Sequence, residues 1–381
     1  MIMKNLGKPS ILVIDDEPDK LRDEFNLRLG DRATTDVIHP QDVEERADLN
    51  NADLVLVDYA LEYWSERDNL STISLQPANG MALAVVLREQ VDQNEKDKLT
   101  AFALHTAHLR DIKGRFSPET AQHVLARLNN LEWIFSKTNP DSYNQMLLLA
   151  EAVRRLPGQW SEDSDDSTSM ARQLLAMDED DESFERCWHD VKDCRMPIEE
   201  LSEGGHSILF IRWLLHQVLP YPCFLWAEHW VASRFGISIE ALREVLEGDS
   251  DLAKDLESMR YSGILADFLG DRWWRGAIED YAWNLVEGYT ADIQQLRDAL
   301  AERAGMKLKS INANPAVVCV DMDWQPADEF LSPMTAITLH PDHWPPFADS
   351  AYMDIKIVRD DPILLSMVDP LDQYRIESDE E

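Results

Sequence analysis

Acidic residues directly follow two of the most apolar segments in the first part of the chain. Residues 11–14 run into Asp15 and Asp16, and residues 54–57 run into Asp58. Apolar runs of this length are typical of strands that are buried in a parallel sheet. Neighbouring carboxylates stay ionised only when a cation lies between them, and paired carboxylates with water suit Mg²⁺. A helix N-cap would explain one acid after the first run, but it would leave the second acid unexplained.

Two further predicted strands end in groups that suit phosphoryl chemistry. Residues 102–104 lead into Thr106, and residues 131–135 lead into Lys137. The carboxyl ends of parallel strands meet at one edge of a sheet, and open α/β sheets place their ligands there. Three carboxylates, one hydroxyl and one ammonium at that edge predict a site for Mg²⁺ and a phosphoryl group. One acid would be the nucleophile, and Thr106 and Lys137 would hold the phosphoryl oxygens.

Segments with a helical pattern lie between the predicted strands. In residues 20–29, for example, apolar side chains recur every four residues and a glycine follows, as at the end of a helix. Strand followed by helix, five times over, predicts an α/β fold with a doubly wound five-stranded parallel sheet. The predicted strands are 11–14, 34–38, 53–57, 102–104 and 131–135, and the predicted helices are 20–29, 41–49, 80–91, 118–128 and 140–155.

These residues and their order resemble the receiver domain of two-component response regulators, over about residues 8–155. The resemblance implies a flavodoxin-like fold in which Asp58 accepts a phosphoryl group from a partner histidine kinase. It implies that Thr106 and Lys137 hold the phosphorylated state, and that Ala60 and His108 flank the site and tune its lifetime. A dinucleotide-binding sheet fits less well, because the chain has no glycine-rich phosphate turn.

The resemblance also implies a magnesium site at the same place. Its ligands would be the carboxylates of Asp15, Asp16 and Asp58 and the main-chain carbonyl of Ala60, two residues after the phosphoacceptor. Mg²⁺ is the expected cofactor, since it neutralises the charge that builds up when a carboxylate attacks a phosphoryl group.

The chain departs from the family pattern at several positions. The loop at residues 61–79 is longer than the usual short turn, and so is the stretch between Thr106 and Lys137. Thr138 follows Lys137 where the family has a proline, and a cis bond there would cost about 3–4 kcal/mol. Ile134 stands at the position of the family's aromatic switch residue. The phosphoryl chemistry is therefore better supported than the usual rotamer-coupled switch.

The composition limits the classes of partner. The chain has 381 residues and a net charge of −36, from 72 acidic and 36 basic side chains. Such a surface argues against electrostatic capture of nucleic acid or of an anionic membrane. The sequence shows no signal peptide and no apolar run long enough to cross a membrane, and its four cysteines form no CxxC pair. We therefore expect a soluble, cytoplasmic protein with free thiols and no membrane partner.

The chain is long enough for two domains. Residues 8–158 are predicted to form the receiver domain, residues 159–182 an acidic linker, and residues 183–381 a tryptophan-rich output domain. The output domain has mainly helical patterns and a β-containing C-terminal part. Its predicted helices are 208–218, 225–235, 238–246, 253–269, 273–289 and 291–303, and its predicted strands are 316–320, 334–339 and 352–358.

The output of residues 183–381 has three candidate classes. A protein–protein interaction is favoured, because the region is acidic and shows no complete catalytic set, and a homodimer is compatible with this output. The rival is an enzymatic effector, since Asp342, Asp354 and Lys356 form a faint nuclease-like pattern if residues 352–358 are a strand. Residues 232–245 resemble a helix-turn-helix, but the acidic second helix argues against a DNA-binding transcriptional regulator.

Overall fold

The protein folds into two compact units. The structure, a computed structural model, describes residues 7–43, 49, 51–61, 79–93, 99–114, 116–177, 184–288 and 292–377. The first unit consists of Met1–Leu174 with Pro197–His216, and the second consists of Leu175–Met196 with Gln217–Glu381. The chain therefore passes from one unit to the other at three points. The long predicted loop lies outside the described residues, except for its ends at 61 and 79.

A five-stranded parallel sheet forms the centre of the first unit. Its strand order is β2-β1-β3-β4-β5, and all four pairings of neighbouring strands are parallel. This confirms the α/β character and the five parallel strands that the sequence predicts. The strands are β1 (Ser10–Ile14), β2 (Thr34–Ile38), β3 (Leu54–Val57), β4 (Ala101–Thr106) and β5 (Trp133–Ser136).

The central strands are apolar throughout because both of their faces are covered. Every residue of β3 and β4 is buried, so neither strand shows the alternation of a half-exposed sheet. The helix Pro118–Leu128 has the bounds that its pattern predicts, and Ser117 caps it by accepting a hydrogen bond from the backbone N–H of Thr120. The other helices of this unit are Pro18–Leu29, Pro40–Asp42 (3₁₀), Gly80–Gln93, Leu109–Ile112, Ser142–Arg155, Ser164–Leu174, Ile198–Ser202 and Ile208–Trp213. The helix Ser164–Leu174 lies within the segment predicted as an acidic linker.

One glycine lets a helix begin directly against the end of β3. The backbone N–H of Gly80 donates a hydrogen bond of 2.8 Å to the carbonyl of Tyr59. A Cβ atom on Gly80 would lie 1.7 Å from the carbonyl oxygen of Asp58, which is far inside van der Waals contact. Only glycine therefore fits at this point, where the chain returns from the long loop to the sheet.

The second unit combines helices with a mixed four-stranded sheet. The sheet has the order β10-β11-β8-β9, in which β11 is parallel to β8 and the other two pairings are antiparallel. A short antiparallel pair, β6 with β7, lies elsewhere in the unit. The strands are β6 (Leu225–Trp226), β7 (Trp273–Trp274), β8 (Val317–Val320), β9 (Pro326–Leu331), β10 (Ala336–Leu339) and β11 (Ala351–Asp354).

The helices of the second unit are short, and most pack on one apolar core that includes Phe235, Leu242 and Trp273. A π-helical turn, Leu214–Val218, carries the chain out of the first unit. The helices are Phe184–Asp193, Glu228–Phe235, Ile239–Leu246, Asp251–Ser258, Arg275–Leu285, Ile293–Ala304, Ile355–Asp360, Pro362–Leu365 and Gln373–Glu377. Among the described residues, no helix combines the length and the apolar character that crossing a membrane requires.

Several predicted elements of the second unit are wrong in extent or type. The predicted helix 253–269 ends at Ser258, and the later part of the predicted span cannot be helical, because Leu265 and Asp267 adopt left-handed backbone conformations. The predicted helix 273–289 begins with two residues of strand, which pair with β6. Strand β9 was not predicted at all, because its middle residues are polar and exposed.

The nuclease-like pattern is contradicted by the local fold. The predicted strand 352–358 ends at Asp354, and a helix starts at the next residue. The side chain of Asp354 accepts a hydrogen bond of 2.9 Å from the backbone N–H of Lys356, so it is the N-cap of that helix. The nuclease interpretation requires the aspartate and the lysine to lie on one strand, whereas Asp354 ends the strand and Lys356 lies in the helix.

The substitution Gly80→Ala tests the close approach to Asp58. The new methyl group collides with a backbone carbonyl that cannot rotate away, so we expect a loss of at least about 3 kcal/mol in the free energy of unfolding. Gly114→Ala is the control, because a Cβ atom there meets nothing within 4 Å. Its left-handed backbone limits the expected cost to about 1–2 kcal/mol. Urea unfolding followed by circular dichroism measures both, and equal stability of the two variants would contradict the packing described here.

Candidate functional site

The structure brings the three predicted acids together at the carboxyl edge of the sheet. Asp15 and Asp16 follow β1, Asp58 follows β3, and one carboxylate oxygen from each lies within 4.8 Å of the others. The backbone N–H of Asp15 donates to Ile38, and that of Asp58 donates to Ile14, so the hydrogen bonding of the sheet continues into the site. In the part of the chain that the structure describes, no other group of three or more acidic, histidine or cysteine side chains could hold a metal ion.

Lys137 supplies the positive charge of the site. It follows β5, and its Nζ lies 2.7 Å from Oδ2 of Asp15 and 3.1 Å from Oδ2 of Asp58. Burial on its own would lower the pKa of Lys137, but the two carboxylates raise it above the ordinary value. The lysine is therefore a permanent cation that bridges two of the three acids.

Asp58 is an acid in an unfavourable environment. Its side chain is buried, and this burial raises its pKa from 3.8 to about 6, although the charge of Lys137 acts in the opposite direction. The neighbouring charge of Asp15 raises the pKa further. In the described part of the chain, the Oδ1 atom of Asp58 is buried and accepts no hydrogen bond. A buried acceptor without a partner, beside two other carboxylates, fits a divalent cation with oxygen ligands.

Thr106 ends β4, and Ala60 lies just beyond β3. Thr106 is the last residue of β4 and is fully buried, and its hydroxyl oxygen accepts a hydrogen bond of 2.9 Å from the backbone N–H of His108. Its carbonyl accepts a hydrogen bond of 2.9 Å from the backbone N–H of Lys137. Ala60 lies two residues beyond Asp58 and forms an isolated bridge with Asn79.

A pair of hydroxyl groups fixes the backbone around Lys137. The Oγ atom of Ser136 lies 2.8 Å from Oγ1 of Thr138, and the backbone N–H of Thr138 donates to Ser136 Oγ at 3.3 Å. The carbonyl of Ser136 in turn accepts a hydrogen bond of 2.9 Å from the hydroxyl of Ser142. Ser136 and Thr138, the hydroxyl residues on either side of Lys137, are the sequence signal for this pair, which the missing proline alone does not reveal.

Ile134 and His105 lie on strands that end at the site, and both are buried in the core. Ile134 is fully buried in β5 and pairs with Leu104, so it is a core residue. His105 is also buried, its two ring nitrogens have no hydrogen-bond partner among the described residues, and its burial lowers its pKa to about 3. Its ring packs edge-on against Phe25 and Tyr143, at centroid distances of 5.6 and 6.1 Å. His105 is therefore a neutral part of the core at physiological pH.

A scan against protein-family models found no match to this chain, and a search of curated proteins found none either.

Asp58→Asn tests the electrostatic cost of the site in metal-free protein. A carboxyl whose folded-state pKa is raised binds its proton more tightly in the folded state, so stability falls as the pH rises from about 4 to about 6. Removing the charge should therefore raise the free energy of unfolding at pH 7 by up to about 3 kcal/mol, and this gain should vanish near pH 4. Thermal unfolding at both pH values, with a chelator present, measures it.

The control for this experiment is Asp31→Asn, since Asp31 is exposed on the same unit. Its effect should stay within about 0.5 kcal/mol at both pH values. A loss of stability at pH 7 in Asp58→Asn would contradict the electrostatic description of the site.

Thr138→Val tests the hydroxyl pair. The substitution keeps the shape of the side chain but removes the partner of Ser136 Oγ, so we expect a loss of about 1 kcal/mol in the free energy of unfolding. Thr138→Ser retains the hydroxyl and should stay near the wild-type value. Urea unfolding compares the three proteins, and if the valine variant is as stable as the serine variant, the hydrogen bond contributes nothing.

Proposed function

We propose that the first unit is the receiver domain of a cytoplasmic two-component response regulator, and that Asp58 is its phosphoacceptor. The observation that carries this proposal is the pairing of a buried Asp58, one oxygen of which has no hydrogen-bond partner, with Lys137 at 3.1 Å. Asp15 and Asp16 stand beside them, within metal-binding distance. This set suits the transfer of a phosphoryl group to a carboxylate.

The donor set fits Mg²⁺. Asp15, Asp16 and Asp58 would hold the ion together with the main-chain carbonyl of Ala60, and all four donors are the oxygen ligands that Mg²⁺ prefers. When bound, the ion neutralises negative charge on the carboxylates and on the incoming phosphoryl oxygens. Burial disfavours the charged form of Asp58 and raises its pKa. A bound cation would stabilise that charged form, which supports the assignment.

The phosphoryl transfer is a displacement at phosphorus. A carboxylate oxygen of Asp58 forms a bond to phosphorus, while the bond from phosphorus to the imidazole nitrogen of a phosphohistidine breaks. The electron pair of that bond stays on the nitrogen, which takes up a proton. Lys137 and the hydroxyl of Thr106 would donate hydrogen bonds to the phosphoryl oxygens, while Ala60 and His108 flank the site and would tune the lifetime of the product. The partner is therefore a histidine kinase.

The second unit would carry the output through a protein partner. Its helix-turn-helix-like pair consists of Glu228–Phe235 and Ile239–Leu246, joined at Gly236 in a left-handed conformation. Arg243 is the one basic residue of the second helix, and its Nε donates a hydrogen bond of 2.9 Å to Glu228. A neutralised arginine on an otherwise acidic helix supports protein binding over binding to phosphates.

Mg²⁺-dependent labelling by acetyl phosphate tests the receiver assignment. We expect one added phosphoryl group on Asp58, detected by intact mass and located by peptide mapping, and no label after chelation of Mg²⁺. Asp58→Asn should abolish the label. Asp16→Asn removes one predicted ligand and should raise the Mg²⁺ concentration for half-maximal labelling by about tenfold or more.

The exposed Asp31 gives the matched control, since Asp31→Asn should label as the wild type does. Label that persists in Asp58→Asn, or that forms equally well without Mg²⁺, would refute the assignment.

A further inference from the structure

A buried ion cluster lies at the opposite end of β5 from the phosphoacceptor site. Its centre is Glu132, whose side chain is fully buried just before β5 begins. Arg88 approaches one carboxylate oxygen at 2.8 Å, and Arg212 approaches the other at 2.7 Å through its Nε. The backbone N–H of Phe102 also donates to this carboxylate. Burial on its own would raise the pKa of Glu132, but the two guanidinium groups lower it below the ordinary value, so the group stays charged.

Arg212 belongs to a segment that the chain inserts into the first unit. This segment, Pro197–His216, is here called the clasp segment, and the chain on both sides of it belongs to the second unit. Besides Glu132, the Arg212 side chain donates to the carbonyl and to the side chain of Asn130. His216 Nε2 lies 2.9 Å from the Glu132 carbonyl and donates to it. The clasp segment is therefore tied to both the backbone and the side chain of Glu132, and also to Asn130.

Weaker contacts complete the attachment of the clasp segment. The hydroxyl of Ser207 donates a hydrogen bond of 2.7 Å to the carbonyl of Pro157. Phe210 packs between Trp160 and Trp213, at ring distances of 5.6 and 5.5 Å. These contacts hold the segment on the first unit, and the Glu132 cluster ties it to the residue that directly precedes β5.

Residues 132–137 form one continuous link between the two charged sites. The backbone N–H of Glu132 donates to Phe102, and that of Lys137 donates to Thr106, each at 2.9 Å, so the strand is paired with β4 at both ends. Five residue steps in an extended strand separate the two side chains by about 16 Å. A paired strand moves as one body rather than stretching, because packed cores resist gradual deformation.

We propose that β5 transmits the phosphorylation state of Asp58 to the clasp segment through the Glu132–Arg212 ion pair. This inference rests on the proposed receiver function. In the structure, Lys137 is shared between Asp15 and Asp58. A phosphoryl group on Asp58 adds negative charge there and draws Lys137 toward it. The resulting shift of β5 draws Glu132 away from Arg212 and loosens the clasp segment, whose two ends continue into the second unit.

Hydrogen–deuterium exchange on the full chain tests this proposal. With acetyl phosphate and Mg²⁺, the amides of Ile208–Trp213 should exchange about fivefold faster or more, as expected for ordinary allosteric coupling. Asp58→Asn under the same conditions should show no change. Full phosphorylation of Asp58 with unchanged or slower exchange at these amides overturns the inference alone. Absence of added mass on Asp58 overturns the receiver assignment and this inference with it.

Coupling is reciprocal, so loosening the clasp segment should in turn stabilise the phosphorylated form. Arg212→Met removes one cation and leaves Arg88 on Glu132, so the carboxylate keeps a partner. We expect the affinity of this variant for beryllium fluoride, which binds a carboxylate in place of a phosphoryl group, to rise about fivefold in the presence of Mg²⁺. Arg155→Met, at an exposed arginine of the same unit, should leave this affinity unchanged. If Arg212→Met exchanges rapidly at Ile208–Trp213 yet binds beryllium fluoride with the wild-type affinity, the coupling does not exist.

Discussion

The crowding of negative charge at the carboxyl edge of the sheet is the constraint on which the first unit depends. Three carboxylates meet there, two of them buried, and Lys137 pairs with Asp15 and Asp58. Water cannot hydrate the surplus charge fully, and the pKa of Asp58 rises as a result. An arrangement of this kind persists only where the surrounding structure is rigid enough to hold the acids in place, which is typical of functional sites.

The apolar sheet supplies that rigidity. The strands β1, β3 and β4 are almost wholly buried, and their register carries directly into the backbone hydrogen bonds of Asp15 and Asp58. Gly80 then closes the space behind Asp58 so tightly that no side chain fits. The acids therefore cannot relax away from one another by small backbone shifts, so their repulsion is relieved by proton binding, as the raised pKa of Asp58 indicates, or by a cation.

Local sequence patterns predicted which residues stand at the carboxyl edge of the sheet, because these residues end or follow buried strands. An apolar run predicts the strand, and its carboxyl end then fixes where Asp15, Asp58, Thr106 and Lys137 lie. The Glu132 cluster could not be found in this way, since Arg212 is 80 residues away from Glu132 along the chain. In the second unit, polar strands such as β9 and left-handed residues such as Leu265 depend on tertiary contacts, which periodicity does not record.

The proposed route of the signal along β5 depends on the apolar residue Ile134 in the strand and on the charged groups at its two ends. Ile134, at the position where the resemblance to receiver domains implies an aromatic switch residue, is fully buried and has no polar group, so it cannot alternate between a buried and an exposed hydrogen-bonded state. The hydroxyl groups of Ser136 and Thr138 instead fix the backbone around Lys137, and an ion cluster fixes Glu132 at the other end of the strand. A strand that is held by charge at both ends, with an inert centre, transmits force along its length rather than through a side-chain rotation. The proposed route along β5 accounts both for the apolar Ile134 and for the buried ion cluster at Glu132.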